Sequence, residues 1–121
     1  MFIEHRTYTL KPGSTQAYLE AYGAEGFALH QTMAPCLGWY TTEAGELFRL
    51  VTMWKFNSFE ERLERRAMLN ADPAWKDVMA RVQPMVTEIR SNLLTPASFW
   101  ADSERGRGLL AGAPAGKPQA L

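Results

Sequence analysis

Residues 47–66 read LFRLVTMWKF followed by NSFEERLERR, so a run of apolar residues leads directly into an arginine-rich segment. The first half predicts a β-strand at 47–56, in which both alternating sets of residues are largely apolar: Phe48, Leu50, Trp54 and Phe56 on one side, and Leu47, Val51 and Met53 on the other. In the second half, Ser58 and Glu61 have the spacing of a capping box, which predicts a helix that begins at Phe59. This stretch therefore predicts a strand that is covered on both faces and followed at once by a helix.

A second helix start lies shortly downstream. Asp72 and Pro73 supply an N-cap and a proline at the first helical position. The apolar residues that follow have helical spacing: Trp75, Val78, Met79 and Val82. The first helix is predicted to end near Asn70, and the second before Pro84. Two consecutive helices are thus expected after the strand.

The rest of the chain completes a βαββαβ order. Ser14 is the predicted N-cap of a long helix, which Gly23 and Gly26 should weaken or make irregular. A loop at 43–46, with a glycine available for positive φ, predicts a hairpin. Besides 47–56, strands are predicted at 2–10, 37–42 and 86–95. The predicted fold class is α+β, with an antiparallel sheet.

The strand at 47–56 also bears on assembly. A strand that is apolar on both faces belongs in a sheet with cover on both sides. One βαββαβ unit has helices for only one side. A second copy of the chain could cover the other side, with the two sheets packed face to face, so a homodimer is expected.

Size and composition indicate one domain. The chain has 121 residues, of which 46% are hydrophobic, and a domain is predicted at 1–100. A Gly-, Ala- and Pro-rich C-terminal tail at 101–121 is not expected to order itself, although Leu109-Leu110 could dock on a neighbouring surface. Basic and acidic residues both number 13, and a net charge of zero argues against nucleic-acid binding. No secretory signal or membrane-spanning run is present, so a cytoplasmic location is expected.

Two arginines of the first predicted helix have no acidic neighbour on the helix surface. Arg62 and Arg66 lie four residues apart, with no Asp or Glu three or four positions away. One interpretation is an ion pair with a carboxylate elsewhere in the fold or across a dimer, such as Glu43 or Glu88. The other is an anion or a polarised carbonyl bound by the planar guanidinium group.

A series of short motifs runs through residues 2–100: Glu4-x-Arg6-x-Tyr8, Pro12-Gly13, Leu37-Gly38-Trp39, Glu43-x-Gly45, Trp54, Arg62, Arg66 and Asp72-Pro73-x-Trp75. In this order the motifs resemble the NIPSNAP family. The resemblance implies the dimeric α+β barrel superfamily, with a ferredoxin-like subunit. It implies no particular reaction, because most members of the family have none established. One position departs from the family: an asparagine often follows the glycine that corresponds to Gly45, whereas this chain has Leu47-Phe48.

The resemblance also implies a place for a ligand, since in this superfamily ligands occupy the space between sheet and helices or the interior of the barrel. The candidate ligand-binding residues are Arg6, Tyr8, Glu43, Trp54, Arg62 and Arg66. His30 and Tyr8 are candidates for proton transfer, His30 because its ordinary pKa lies near neutrality. The alternatives are that His30 contacts the carbonyl groups that end its helix and that Tyr8 and Trp54 are core residues.

No metal or cofactor is predicted. The chain has two histidines that lie far apart in sequence, and no glycine-rich loop stands between a strand and a helix. Two functional hypotheses follow. The first is a non-enzymatic homodimer that binds a small ligand or acts as a scaffold. The second is a cofactor-independent monooxygenase or isomerase for a small aromatic or polyketide-like substrate, as in other members of the superfamily. Whether the protein is an enzyme stays open at this point.

Overall fold

The computed structural model describes residues 1–116. In chain order its elements are β1 (Phe2–Leu10), α1 (Thr15–Gly23), α2 (Gly26–His30), β2 (Cys36–Thr41), β3 (Arg49–Phe56), α3 (Phe59–Ala71), α4 (Pro73–Val82), a 3-10 turn (Gln83–Met85), β4 (Val86–Leu94), α5 (Ser98–Ala101) and α6 (Glu104–Leu110). The strands form an antiparallel sheet in the order β2-β3-β1-β4. This is the order of a ferredoxin-like βαββαβ unit, and the predicted α+β fold class is confirmed.

The predicted starts of α3 and α4 are also confirmed. Ser58 Oγ accepts a hydrogen bond from the backbone N–H of Glu61 at 3.1 Å, and the Glu61 carboxylate accepts one from the N–H of Asn57 at 2.6 Å. Asp72 accepts from the N–H of Ala74 at 2.9 Å. These side chains satisfy donors that have no partner within the first turn of a helix, and so they fix where each helix begins.

The long helix predicted after Ser14 is instead divided into α1 and α2, as the expected irregularity at its two glycines allows. The Ser14 side chain makes no capping hydrogen bond. At Gly26, an added Cβ would lie 3.0 Å from both Tyr22 and Val78. Close packing of α2 against α1 and α4 therefore favours a glycine at this position.

The predicted start of β3 at Leu47 is wrong, because the strand begins at Arg49. The connection from β2 passes through two residues with positive φ, Gly45 at 98° and Phe48 at 63°. Leu47 and Phe48 thus belong to the turn, where both side chains are exposed. A non-glycine residue with positive φ is uncommon, and apolar composition alone gave no sign of this turn.

The helices cover one face of the sheet. On this face β3 presents four buried side chains: Leu50, Thr52, Trp54 and Phe56. The Trp54 ring stacks on His30 of α2 with their centroids 3.8 Å apart. On the outer face, Val51 and Met53 are half-buried, and Tyr40 of β2, the cross-strand neighbour of Val51, is exposed. The outer face is therefore partly apolar and partly open within the single chain.

The segment after Trp100 differs from the expectation that it would not order itself. Ser103 caps α6 by accepting from the N–H of Gly106 at 3.1 Å. At the other end of α6, Lys55 Nζ donates to the carbonyl groups of Leu110 at 2.6 Å and Gly112 at 3.0 Å. A cap and a cation at the C-terminal carbonyls stabilise this short helix against the domain. Residues 117–121 of the predicted tail lie outside the described residues.

Candidate functional site

A buried carboxylate organises the helix-covered face of β1. Alternation along β1 places Glu4, Arg6 and Tyr8 on this face. The Glu4 side chain is fully buried and accepts two hydrogen bonds from Arg62 of α3, at 3.1 and 2.9 Å. It also accepts from Arg6 at 2.9 Å and from the hydroxyl of Ser91 in β4 at 2.6 Å. We call Glu4, Arg6, Arg62 and Ser91 the Glu4 cluster.

The charges in this cluster set the protonation state of Glu4. Burial alone would raise the pKa of the carboxyl group. The hydrogen bonds from Arg62, Ser91 and Arg6 outweigh that effect, and the pKa falls from 4.5 to about 2. Glu4 is therefore a carboxylate throughout the neutral range, and it forms ion pairs with two arginines, Arg6 and Arg62.

Arg66 lies one turn beyond Arg62 on α3 and has a different environment. Within residues 1–116, no hydrogen bond or ion pair involves its guanidinium group. Burial lowers the pKa of Arg66, and the positive charge of Arg6 lowers it further. Arg6, Arg62 and Arg66 face a single carboxylate at Glu4, which leaves an excess of positive charge beside Arg66.

A cavity of about 510 Å³ lies between the sheet and the helices, with Arg6, Tyr8 and Arg66 in its wall. This volume is in the range of small-molecule binding sites. Most of the remaining wall is apolar or aromatic, and it is built from Tyr18, Tyr22, Met33, Trp39, Leu69, Trp75, Met79, Val82, Val86 and Ile89. The cavity thus combines an apolar interior with a guanidinium group that has no hydrogen-bond or ion-pair partner among residues 1–116.

His30, also in the cavity wall, contacts three aromatic side chains. Its ring stacks on that of Trp54 with a centroid distance of 3.8 Å, and the ring of Trp75 is tilted against it at 4.8 Å. His30 Nδ1 lies 2.8 Å from the hydroxyl of Tyr22, which accepts a hydrogen bond from Trp39 Nε1 at 3.3 Å. Burial lowers the pKa of His30 from 6.5 to about 3, so the imidazole is neutral at physiological pH.

The structure brings together most of the predicted site residues. Arg6, Tyr8, His30 and Arg66 all line the cavity. Arg6 donates from Nε to the Tyr8 hydroxyl at 2.7 Å, so these two candidates form a pair. The alternative in which His30 contacts helix carbonyls is wrong, because its hydrogen bond goes to a tyrosine side chain.

Three of the candidates lie elsewhere. Trp54 is fully buried beneath His30 and is not part of the cavity wall. Glu43 is exposed in the loop between β2 and β3 and is likewise absent from the wall. The suggested pairing of Arg62 with Glu43 or Glu88 is wrong, since Arg62 binds Glu4 and Glu88 pairs with Arg90. Arg62 therefore has a structural role in the Glu4 cluster.

Sequence reasoning missed Glu4, Ser91, Tyr22 and Trp39 as parts of this site. For Glu4 a signal was present, because alternation along β1 places it on the same face as Arg6. Nothing in the local sequence marks Ser91, which meets Glu4 only through the pairing of β1 with β4. Tyr22 lies in the helix predicted after Ser14, and Trp39 lies in the strand predicted at 37–42 and in a family motif, but neither was assigned to a site.

Among residues 1–116, no helix combines the length and the apolar character that crossing a bilayer would require. In the same residues, no three His, Cys, Asp or Glu side chains are grouped so that they could bind a metal ion.

The fold and the cavity together define a ferredoxin-like α+β protein with an internal cavity between its sheet and its helices. The family model NIPSNAP matches residues 3–101, and the chain belongs to this family. A NipSnap homolog of Dictyostelium discoideum is 28% identical over 96 residues, which are 79% of this chain and 43% of that protein. The chain spans less than half the length of the curated relatives it matches.

Solved structures agree with this assignment. A protein from Agrobacterium tumefaciens is 34% identical with a TM-score of 0.78, and the match covers 82% of this chain and 96% of that one. A NIPSNAP-like domain protein from Burkholderia xenovorans is 29% identical with a TM-score of 0.77, over 81% and 86% of the two chains. An antibiotic biosynthesis monooxygenase is 11% identical with a TM-score of 0.55, over 80% and 99%, and it shares the fold alone.

Proposed function

We propose that this protein is a homodimer whose subunits each bind a small apolar ligand that carries an anionic group. The observation that supports this most is Arg66, which lines an apolar cavity without an ion-pair partner among residues 1–116. Leaving a charge partly desolvated and unpaired costs stability. A carboxylate in the cavity would remove that cost, since a guanidinium group binds a carboxylate through two parallel hydrogen bonds.

The Glu4 cluster explains why Arg66 is available. Glu4 makes its hydrogen bonds with Arg6, Arg62 and Ser91, and none with Arg66. Glu88, the acidic residue in the cavity wall, is paired with Arg90. A ligand anion would therefore meet a net positive field on the side of the cavity formed by Arg6 and Arg66.

Phenylbutyrate and phenylbutanol test the proposal as a pair, because they differ in charge but have similar apolar bodies. Phenylbutyrate is expected to bind in the cavity and phenylbutanol to bind much more weakly. In Arg66→Gln, affinity for phenylbutyrate should fall roughly tenfold or more, because a charge-assisted hydrogen bond contributes about 1.5–3 kcal/mol. Isothermal titration calorimetry or an NMR titration measures both dissociation constants.

Arg65→Gln is the matched control for this experiment. It removes a positive charge from the position directly before Arg66 on α3. Arg65, however, pairs with Glu61 and is not part of the cavity wall. Its affinity for phenylbutyrate should match that of the wild-type protein. Arg66→Gln should also unfold at the same temperature as wild type or higher, since it removes an unpaired, partly buried charge. Equal affinity of Arg66→Gln and wild type would contradict the proposed role of Arg66.

The proposed dimer rests on the partly apolar outer face of the sheet. Val51 and Met53 are only half-buried there, and Tyr40 beside them is 57% exposed. Sedimentation should show a dimer for the wild-type protein. Val51→Asp should sediment as a monomer, because it places a charge in the centre of the contact. Met68→Asp, on an exposed position of α3, should stay dimeric. A monomeric wild-type protein would contradict the proposed assembly.

A cofactor-independent monooxygenase or isomerase is the second candidate. The cluster of arginines supports it, since guanidinium groups stabilise an enolate or another developing oxyanion. Such a reaction also needs a group that takes a proton. Nδ1 of His30 already lies within hydrogen-bonding distance of Tyr22. In addition, a shared fold by itself does not indicate a shared reaction. Ligand binding is therefore the better supported function.

A further inference from the structure

The chain of hydrogen bonds behind His30 determines which of its ring nitrogens carries the proton. Trp39 Nε1 can only donate, and it donates to the Tyr22 hydroxyl. The Tyr22 proton then needs an acceptor, and within residues 1–116 the acceptor in reach is His30 Nδ1. If Nδ1 accepts this proton, the proton of the neutral imidazole is on Nε2.

His30 lines the cavity, and its other ring nitrogen, Nε2, makes no hydrogen bond within residues 1–116. Throughout the described residues, every fully buried side-chain nitrogen or oxygen has a hydrogen-bond partner. The hydrogen bond of the His30 ring is made by Nδ1, so Nε2 cannot be fully buried. The free space beside His30 is the cavity, whose wall includes this residue. Stacking on Trp54 and the tilted contact with Trp75 hold the ring in place.

We infer that His30 presents a fixed N–H donor to the cavity and that the ligand carries, besides its anion, a second oxygen that accepts a hydrogen bond from Nε2. The ligand class is then an apolar carboxylate with a carbonyl group, such as an aromatic oxo acid. This inference rests on the proposed binding function. It replaces the role of His30 as a proton acceptor, because the nitrogen that could accept a proton is turned away from the ligand.

Two matched acids test this inference. Benzoylpropionate is phenylbutyrate with one methylene replaced by a carbonyl, so the two differ mainly in the acceptor. Wild-type protein should bind benzoylpropionate roughly three- to tenfold more tightly, as expected for one neutral hydrogen bond. His30→Phe keeps a planar ring but has no N–H, and the preference should disappear in this variant. Circular dichroism and thermal unfolding check that the variant folds.

A second measurement needs neither a variant nor a ligand. In protein labelled with ¹⁵N at histidine, long-range ¹H–¹⁵N spectra distinguish the two neutral tautomers. The His30 signal at neutral pH should be that of the Nε2–H form. An Nδ1–H form would overturn the inference, as would equal binding of the two acids to wild-type protein.

The outcomes also separate this inference from the proposed function on which it rests. If both acids bind equally and both depend on Arg66, the proposed function stands and only the second contact is wrong. If neither acid binds, the proposed function fails and this inference fails with it.

Discussion

Glu4→Gln is expected to lower the free energy of unfolding by about 3–5 kcal/mol, which is the usual cost of removing one partner from a buried ion pair. The substitution keeps the shape of the side chain but leaves the Arg62 and Arg6 guanidinium groups without their carboxylate. Both arginine side chains are largely buried, so water cannot replace the lost contacts fully. Urea unfolding followed by circular dichroism measures the change.

Glu88→Gln is the control for this prediction. Glu88 is also a strand glutamate that pairs with an arginine two residues further on. In this pair, however, the side chains of both Glu88 and Arg90 are about half exposed or more. Exposed pairs contribute about 0–1 kcal/mol, so this variant should lose little stability. Similar losses in Glu4→Gln and Glu88→Gln would mean that the Glu4 cluster is not the main electrostatic determinant of the fold.

The stability difference between wild type and Glu4→Gln should also depend on pH. The pKa of Glu4 is about 2 in the folded protein, below its ordinary 4.5. A lowered pKa means that the unfolded chain binds a proton first, so Glu4 contributes its full stabilisation above pH 4.5 and loses it as the pH falls towards 2. The difference in stability between wild type and Glu4→Gln should therefore shrink over this interval. Because His30 is present in both proteins, its own titration largely cancels in the difference.

Trp54→Ala should cost about 3–5 kcal/mol, the range for truncating a large buried aromatic residue. Its ring is fully buried, its Nε1 donates to Thr52 at 2.9 Å, and it supports His30 from below. The loss of stability should exceed that of Trp100→Ala, since Trp100 is 39% exposed. Chemical unfolding of the three proteins measures the difference. A small loss in Trp54→Ala, with a large effect on ligand binding, would instead support Trp54 as a ligand contact.

The sequence predicted well those parts of the fold that depend on local signals. The capping residues Ser58 and Asp72 gave the starts of α3 and α4, and alternation gave β1 from Phe2 to Leu10. Local signals were insufficient where backbone geometry decides the boundary. The positive φ of Phe48 ends the turn before β3, and no property of a phenylalanine predicts that conformation.

The site was predicted only in part, because local sequence signals do not show which side chains meet in the folded chain. The absence of acidic neighbours correctly indicated that Arg62 has its partner outside α3, whereas for Arg66 this stays a prediction. It could not say that Arg62 meets Glu4 while Arg66 faces the cavity, because that depends on how α3 lies across β1.

The order of the C-terminal segment was likewise not predictable from local composition. Its glycine-rich composition concealed the Ser103 cap and the contact of Lys55 with the end of α6.

A crystal structure of the protein with benzoylpropionate would show whether Arg66 binds the anion of a ligand in the cavity. We expect the phenyl group to lie among the aromatic residues of the cavity and the carboxylate to make a two-point contact with the Arg66 guanidinium group. The Glu4 cluster should be unchanged in the complex. An empty cavity at saturating benzoylpropionate, or a carboxylate bound away from Arg66, would overturn the proposed binding function.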